Sequence, residues 1–218
     1  MSKTSATYCA IIGDINSSRT LKNRAAIQRS FSSAVRKVNK EFESAIASKF
    51  LVTLGDEFQG LLRSPADSYR FVRRFQQLVK NVTFSFGVGI GKLSTPLNEE
   101  ALGMDGEVFY RARAALSKAK KLEQELVYDL GSPASELLNA LIGMMEKEWE
   151  RLTPRQRRII ELRKSLENQT DVAHKLRISQ PAVSKVLLSP TIRQLDEAEK
   201  AVIRFLKLLQ GETAAASP

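Results

Sequence analysis

Five short apolar runs, Tyr8–Ile15, Lys49–Leu54, Glu57–Leu62, Val82–Ile90 and Leu126–Leu130, alternate with amphipathic segments, and the chain beyond them reads as helix. That order, β-α-β-β-α-β-α-β and then helices, leaves few architectures open. The first run, YCAIIGDI, is continuous and ends in Gly13-Asp14, the pattern of a strand covered on both faces, with Cys9 as plain core. After Arg19, Phe31, Val35, Val38 and Phe42 recur at helical spacing, with Arg29, Arg36, Lys37 and Lys40 on the other side. Gly55 and Asp56 between two runs predict a tight hairpin. Ser64 and Pro65 open a second helix carrying Tyr69, Val72, Phe75, Leu78 and Val79, and a loop over 92–105 leads into a third helix over 106–122. The simplest fold for this order is an α+β sheet of split β-α-β units, ferredoxin-like, with its helices on one face. GSPAS, Gly131 to Ser135, is the best linker, predicting an α+β domain over 1–131 and a helical domain over 132–218.

Composition narrows the classes. Of 218 residues 43% are hydrophobic and 27% charged, which excludes wholesale disorder. No apolar stretch reaches the ~18 residues of a membrane span. The first residues lack an apolar signal core, and Cys9 is the single cysteine, so a cytoplasmic location is expected. The net charge of +10 favours a polyanionic partner, and residues 151–190 concentrate it, with nine basic and three acidic side chains.

Asp14 ends the first strand and Asp56 sits in the hairpin turn, places that a split β-α-β sheet brings to one edge. Two carboxylates there repel unless something positive lies between them. Mg²⁺ or Mn²⁺ is suited to this, with the backbone carbonyl near Ile15 as a further ligand, and such a site would position a nucleoside triphosphate. The alternative is two ordinary turn aspartates. Arg19, at the start of the first helix, is a candidate nucleotide phosphate contact. The pairs Arg73-Arg74 and Lys120-Lys121 read as solvated helix faces.

In the second half, Thr153, Pro154 and Gln156 form a capping box. In QTDVAHKLRISQPAVSKVLL, small Ala173 falls where two helices would cross. Val172, Leu176, Ile178, Val183 and Val186 supply a core, and Ser179 caps the second helix, the pattern of a helix-turn-helix. Arg177 stands where that turn usually has glycine. With the second helix in a major groove, Gln180, Pro181, Ser184 and Lys185 face double-stranded DNA, while Arg155, Arg157, Arg158 and Arg177 meet phosphates. A three-helix interaction module is the alternative. His174 reads as a surface residue and Trp149 as a core anchor. The stripe Leu195, Ala198, Val202, Phe205 and Leu209 either packs on the motif or forms a dimer seam.

The strand ending GDINSSR, the hairpin LGDEFQ, the strand SFGVGIG and the helix FYRARAALSKAK, in that order, resemble the palm of class III nucleotide cyclases and GGDEF diguanylate cyclases. Over nearly its full length the chain resembles the SatD family of bacterial proteins, which join such a domain to a C-terminal helix-turn-helix. The cyclase resemblance implies Asp14 and Asp56 as metal ligands, with Glu57 as a substitute, and Lys120 as a nucleotide phosphate contact. Two departures stand out: Leu54-Gly55 replaces Gly-Gly, and Arg113 replaces a helix acid. The arginine and asparagine that stabilise the cyclase transition state have no match. The leading expectation is a DNA-binding transcriptional regulator whose cyclase-like domain binds nucleotide and divalent metal. The alternatives are a metal-dependent nucleotidyl cyclase or transferase delivered by its helix-turn-helix, and an inactive scaffold. A homodimer would suit both halves.

Overall fold

The computed structural model describes residues 6–16, 24–53, 56–79, 82–166 and 168–215. Five strands form one sheet in the order β2-β3-β1-β4-β5. They are β1 (Thr7–Ile15), β2 (Ile46–Val52), β3 (Glu57–Leu62), β4 (Phe84–Lys92) and β5 (Leu126–Asp129). The first four pair antiparallel in the split β-α-β arrangement, and β5 joins parallel to β4. The helices α1 (Arg24–Glu41), α2 (Ser68–Leu78) and α3 (Glu107–Leu122) connect them. The α+β class and the order of elements agree with the sequence reading.

The helices do not share one face, and the strand period of two explains how both faces are filled. Gly13 pairs with Phe58 and Phe86, and on that side Phe58 stacks on Phe75 of α2 at 4.3 Å while Phe31 of α1 meets Phe58 edge-on at 5.7 Å. Ala10 and Ile12 point the other way, into a core with Val108, Ala112 and Leu116 of α3. The sheet is therefore covered by helices on both faces, correcting the one-face expectation. Strands β3, β4 and β5 are mutually parallel and step the same way along the sheet, yet α2 and α3 lie on opposite faces. The two crossovers thus have opposite hands, although nearly all such connections are right-handed. The loop before α3 permits this: it runs to the far edge, where Lys49 of β2 hydrogen-bonds Glu99 and Ala101, covering an edge strand.

Ser64 caps a short 3₁₀ turn, Pro65–Asp67, that leads into α2. Arg74 keeps 39% of its side chain exposed and also grips Glu41 at 2.6 and 2.7 Å, and Arg73 reaches Glu125 at 3.1 Å. Helix α4 (Ala134–Arg151) follows β5, and Asn139 on it exchanges two 2.7 Å hydrogen bonds with the backbone of Tyr128, acting as a strand partner for β5. The chain divides into two compact units, residues 1–142 with 202–218, and residues 143–201.

The second unit carries α5 (Pro154–Ser165), α6 (Gln169–Leu176) and α7 (Gln180–Leu187), and α8 (Pro190–Ala215) begins in it. Ile159, Leu162, Val172, Ala173 and Val183 form its buried core, with Leu176, Ile178 and Val186 packed against it. The Thr153 capping box forms with Gln156. Ser179 holds the N-cap position of α7 without a side-chain cap bond, contrary to expectation. Trp149 is only half-buried rather than a core anchor. Of the α8 stripe Val202 is buried, and so is Leu206 beside it. No described helix is long and apolar enough to cross a membrane.

Candidate functional site

Asp14 is the penultimate residue of β1, opposite Glu57 of β3 and Ser85 of β4, and the strand period turns it toward the α3 face along with Ile12. The amide of Ile15 donates to the carbonyl of Asp56 at 3.1 Å, which draws the hairpin turn against the strand end. Three carboxylates, Asp14, Asp56 and Glu57, are thereby gathered at one end of the sheet. Thr53 Oγ1 donates to Glu57 Oε1 at 3.3 Å and steadies it. The segment after β1 is held too: the Asn16 amide donates to the Thr83 carbonyl at 2.9 Å, and Ser85 Oγ donates to Asn16 Oδ1 at 2.9 Å.

Helix α3 answers these acids with two cations. Arg113 and Lys120 are seven residues apart, two helical turns, and so share a face. Arg113 Nη1 donates to both oxygens of Glu57, at 2.8 and 3.0 Å, and Lys120 Nζ pairs with Asp14 Oδ2. The helix can lie this close because β4 offers glycines beneath it. A Cβ on Gly87 would stand 2.1 Å from the Ala112 carbonyl oxygen. The acid side chains are only 15% (Asp14) and 16% (Glu57) exposed, the cations 46% (Lys120) and 53% (Arg113). Burial holds the Asp14 carboxyl above its ordinary range. Lys120 opposes that shift, and Asp56 and Glu57 add to it.

Lys120, which the cyclase resemblance assigns to phosphate, thus rests on Asp14, supplying the positive charge that two neighbouring carboxylates require. Arg19 and the Leu54-Gly55 pair lie outside the described residues. Among the described residues no three His, Cys, Asp or Glu are grouped to hold a metal by themselves. The donors present are hard carboxylate oxygens, which fit Mg²⁺ or Mn²⁺ held by one or two carboxylates and completed by substrate phosphate. Arg113 entered the sequence reading only as a departure from a motif. Its pairing with Glu57 carried no local signal, because 56 residues separate the partners. The Ser85–Asn16 bond was missed for the same reason.

In the second unit Arg155, Arg158, Arg177, Gln180, Pro181 and Lys185 are exposed, while Arg157 and Ser184 are half-buried. Arg157 Nε donates to the Leu152 carbonyl at 3.0 Å, Arg158 pairs with Glu161 at 3.4 Å, and Gln180 donates to Gln169 at 2.9 Å. Arg177 closes α6 in the left-handed conformation, φ 53°, its amide bonded to the carbonyls of Ala173 and His174. His174 is exposed, as expected.

A comparison with curated protein sequences finds no match. Among solved structures, a bacterial light-regulated adenylyl cyclase is similar at 13% identity, covering 56% of this chain and 75% of that one, with a TM-score of 0.44. The non-canonical dimeric guanylyl cyclase domain of the RhoGC fusion protein from the aquatic fungus Blastocladiella emersonii is similar at 15% identity, covering 52% and 74%, with a TM-score of 0.40. The catalytic core of a rhodopsin-guanylyl cyclase with converted specificity, in complex with ATPalphaS, is similar at 17% identity, covering 52% and 72%, with a TM-score of 0.39. The model of the SatD family matches residues 8–202, nearly the whole length, and the chain belongs to the SatD family.

Proposed function

We propose that the α+β unit is a metal-dependent nucleotidyl cyclase or transferase that handles a nucleoside triphosphate at the end of β1. One observation carries this reading: a desolvated Asp14 shares its place with Asp56 and Glu57 beneath two half-exposed cations of α3. Acids held against burial and mutual repulsion cost stability and are maintained where they serve a ligand. Asp14 and Asp56, with the Ile15 carbonyl and with Glu57 as a substitute, would hold Mg²⁺ or Mn²⁺. When bound, that ion supplies charge stabilisation to a phosphoryl oxygen. Lys120 binds and orients the phosphates, with Arg19 as a further contact. The test is product analysis by mass spectrometry after incubating the protein with the four nucleoside triphosphates and Mn²⁺. A cyclic or linked nucleotide that disappears in Asp14→Ala is the expected result, and unchanged triphosphates refute turnover.

A second reading concerns residues 143–201. The left-handed turn at Arg177 between α6 and α7, with small Ala173 buried in the core of the unit, favours a helix-turn-helix that reads double-stranded DNA and makes the chain a transcriptional regulator. Gln180, Pro181, Ser184 and Lys185 would face the groove, and Arg155, Arg158 and Arg177 the phosphates. Arg157 already binds the Leu152 carbonyl and contributes least. Arg158→Ala with Lys185→Ala should abolish DNA affinity and flatten its salt dependence, and unchanged binding sinks this assignment.

A further inference from the structure

We infer that Arg113 is a second phosphate-binding residue of this site, and that Arg113 and Lys120 exchange Glu57 and Asp14 for the polyphosphate of a nucleotide as a divalent cation takes over the carboxylates. The inference rests on the nucleotide-and-metal reading above and deepens it.

The asymmetry of burial motivates it. Glu57 and Asp14 are 16% and 15% exposed, so their charges need a cation at all times, whereas Arg113 and Lys120 are 53% and 46% exposed and can turn outward at little desolvation cost. The two cations stand about 10 Å apart along the axis of one rigid helix. Ser117 lies between them in sequence, its hydroxyl bound back to the Arg113 carbonyl at 3.0 Å. A planar guanidinium and an ammonium on one helix face suit an extended chain of phosphate oxygens. Charge balance then follows. A metal alone must displace a cation from Asp14, and a polyphosphate alone must draw cations from buried acids. Arriving together, each satisfies the groups the other releases, so their affinities are coupled.

A merely structural ion pair predicts something else: its cations stay on the acids, so Arg113→Met would leave tripolyphosphate binding unchanged. The test uses the full chain and two probes: Mn²⁺ alone, followed by the electron paramagnetic resonance signal of the free ion, and inorganic tripolyphosphate in metal-free buffer, followed by calorimetry. Arg113→Met and Lys120→Met should each tighten Mn²⁺ binding roughly threefold or more, the scale of losing a competing, partly exposed ion pair. The same changes should weaken tripolyphosphate. Glu57→Gln should do the reverse and tighten tripolyphosphate, while Arg113→Lys should keep both affinities near the wild type. Unchanged or weaker Mn²⁺ binding in Arg113→Met overturns the exchange, and if Asp14→Asn still abolishes Mn²⁺ binding the metal-site reading stands without it. Wild-type Mn²⁺ affinity in Asp14→Asn, or no Mn²⁺ binding by any form, overturns both. Thermal melts of each variant separate these outcomes from misfolding.

Discussion

Gly87→Ala tests the closeness of α3 to the sheet, on which the whole site depends. Its new methyl would stand 2.1 Å from the Ala112 carbonyl oxygen and 2.2 Å from the Leu116 amide nitrogen, where ordinary contact begins at 3.4 Å. Both obstacles are helix backbone, which cannot rotate aside as a side chain can. The helix must therefore lift off β4, thinning the core that Val108, Ala112 and Leu116 make with Ala10 and Ile12. Overpacking of this kind costs about 1–3 kcal/mol. For a chain of this length that lowers the melting temperature by roughly 2–12 °C. The assay is thermal unfolding by circular dichroism, with two companions. Gly89→Ala meets the Ala112 amide nitrogen at 2.3 Å and the Val108 carbonyl at 2.4 Å, and should behave alike. Gly103→Ala has nothing within 4 Å and suffers only its left-handed φ of 69°, a cost of about 1–2 kcal/mol. A Gly87→Ala protein that melts with the wild type refutes the close packing of α3 and, with it, the placement of Arg113 and Lys120.

Other outcomes follow from single groups. Because burial raises the folded-state value of Asp14, the native protein holds its proton more tightly than the unfolded chain, so this group's contribution to stability declines as pH rises from the ordinary carboxylate value through the raised one. Asp14→Asn removes that decline and should be the more stable form at neutral pH, as denaturant titrations at several pH values will read; a less stable Asp14→Asn there contradicts the electrostatic account. Asn139→Ala strands a buried amide and carbonyl of Tyr128 and should cost about 2–4 kcal/mol in urea unfolding, with a loss under about 1 kcal/mol refuting the strand-partner role. Burial pushes the Cys9 thiol up to about 12, so thiol reagents should label it only as fast as the native state opens, and rapid labelling would show that β1 is not covered. Arg177→Gly relieves a left-handed conformation at a non-glycine and should stabilise the second unit by about 1 kcal/mol, read by unfolding; a destabilised variant would overturn the turn geometry.

The sequence by itself determined what local rules decide. The short apolar runs and the helical spacing ordered the strands and helices, Gly55-Asp56 marked the hairpin, and the Thr153–Gln156 capping box started α5 as read. The family was legible from motifs in their order. Split β-α-β pairing brings a first-strand end to a hairpin turn, and the Ile15–Asp56 bond joins the two at one end of the central strand rather than at an edge of the sheet. Only the tertiary structure decided which face each helix covers. An amphipathic helix declares that it has a buried side, but the glycines of β4 and the long loop that brings α3 to the second face act through contacts far apart in the chain. The same non-local packing turned Arg74 into a tie to Glu41, set Arg113 on Glu57, and laid Lys120 on Asp14. A charge in a sequence carries no record of its partner. Its role is settled when the fold brings an opposite charge within reach.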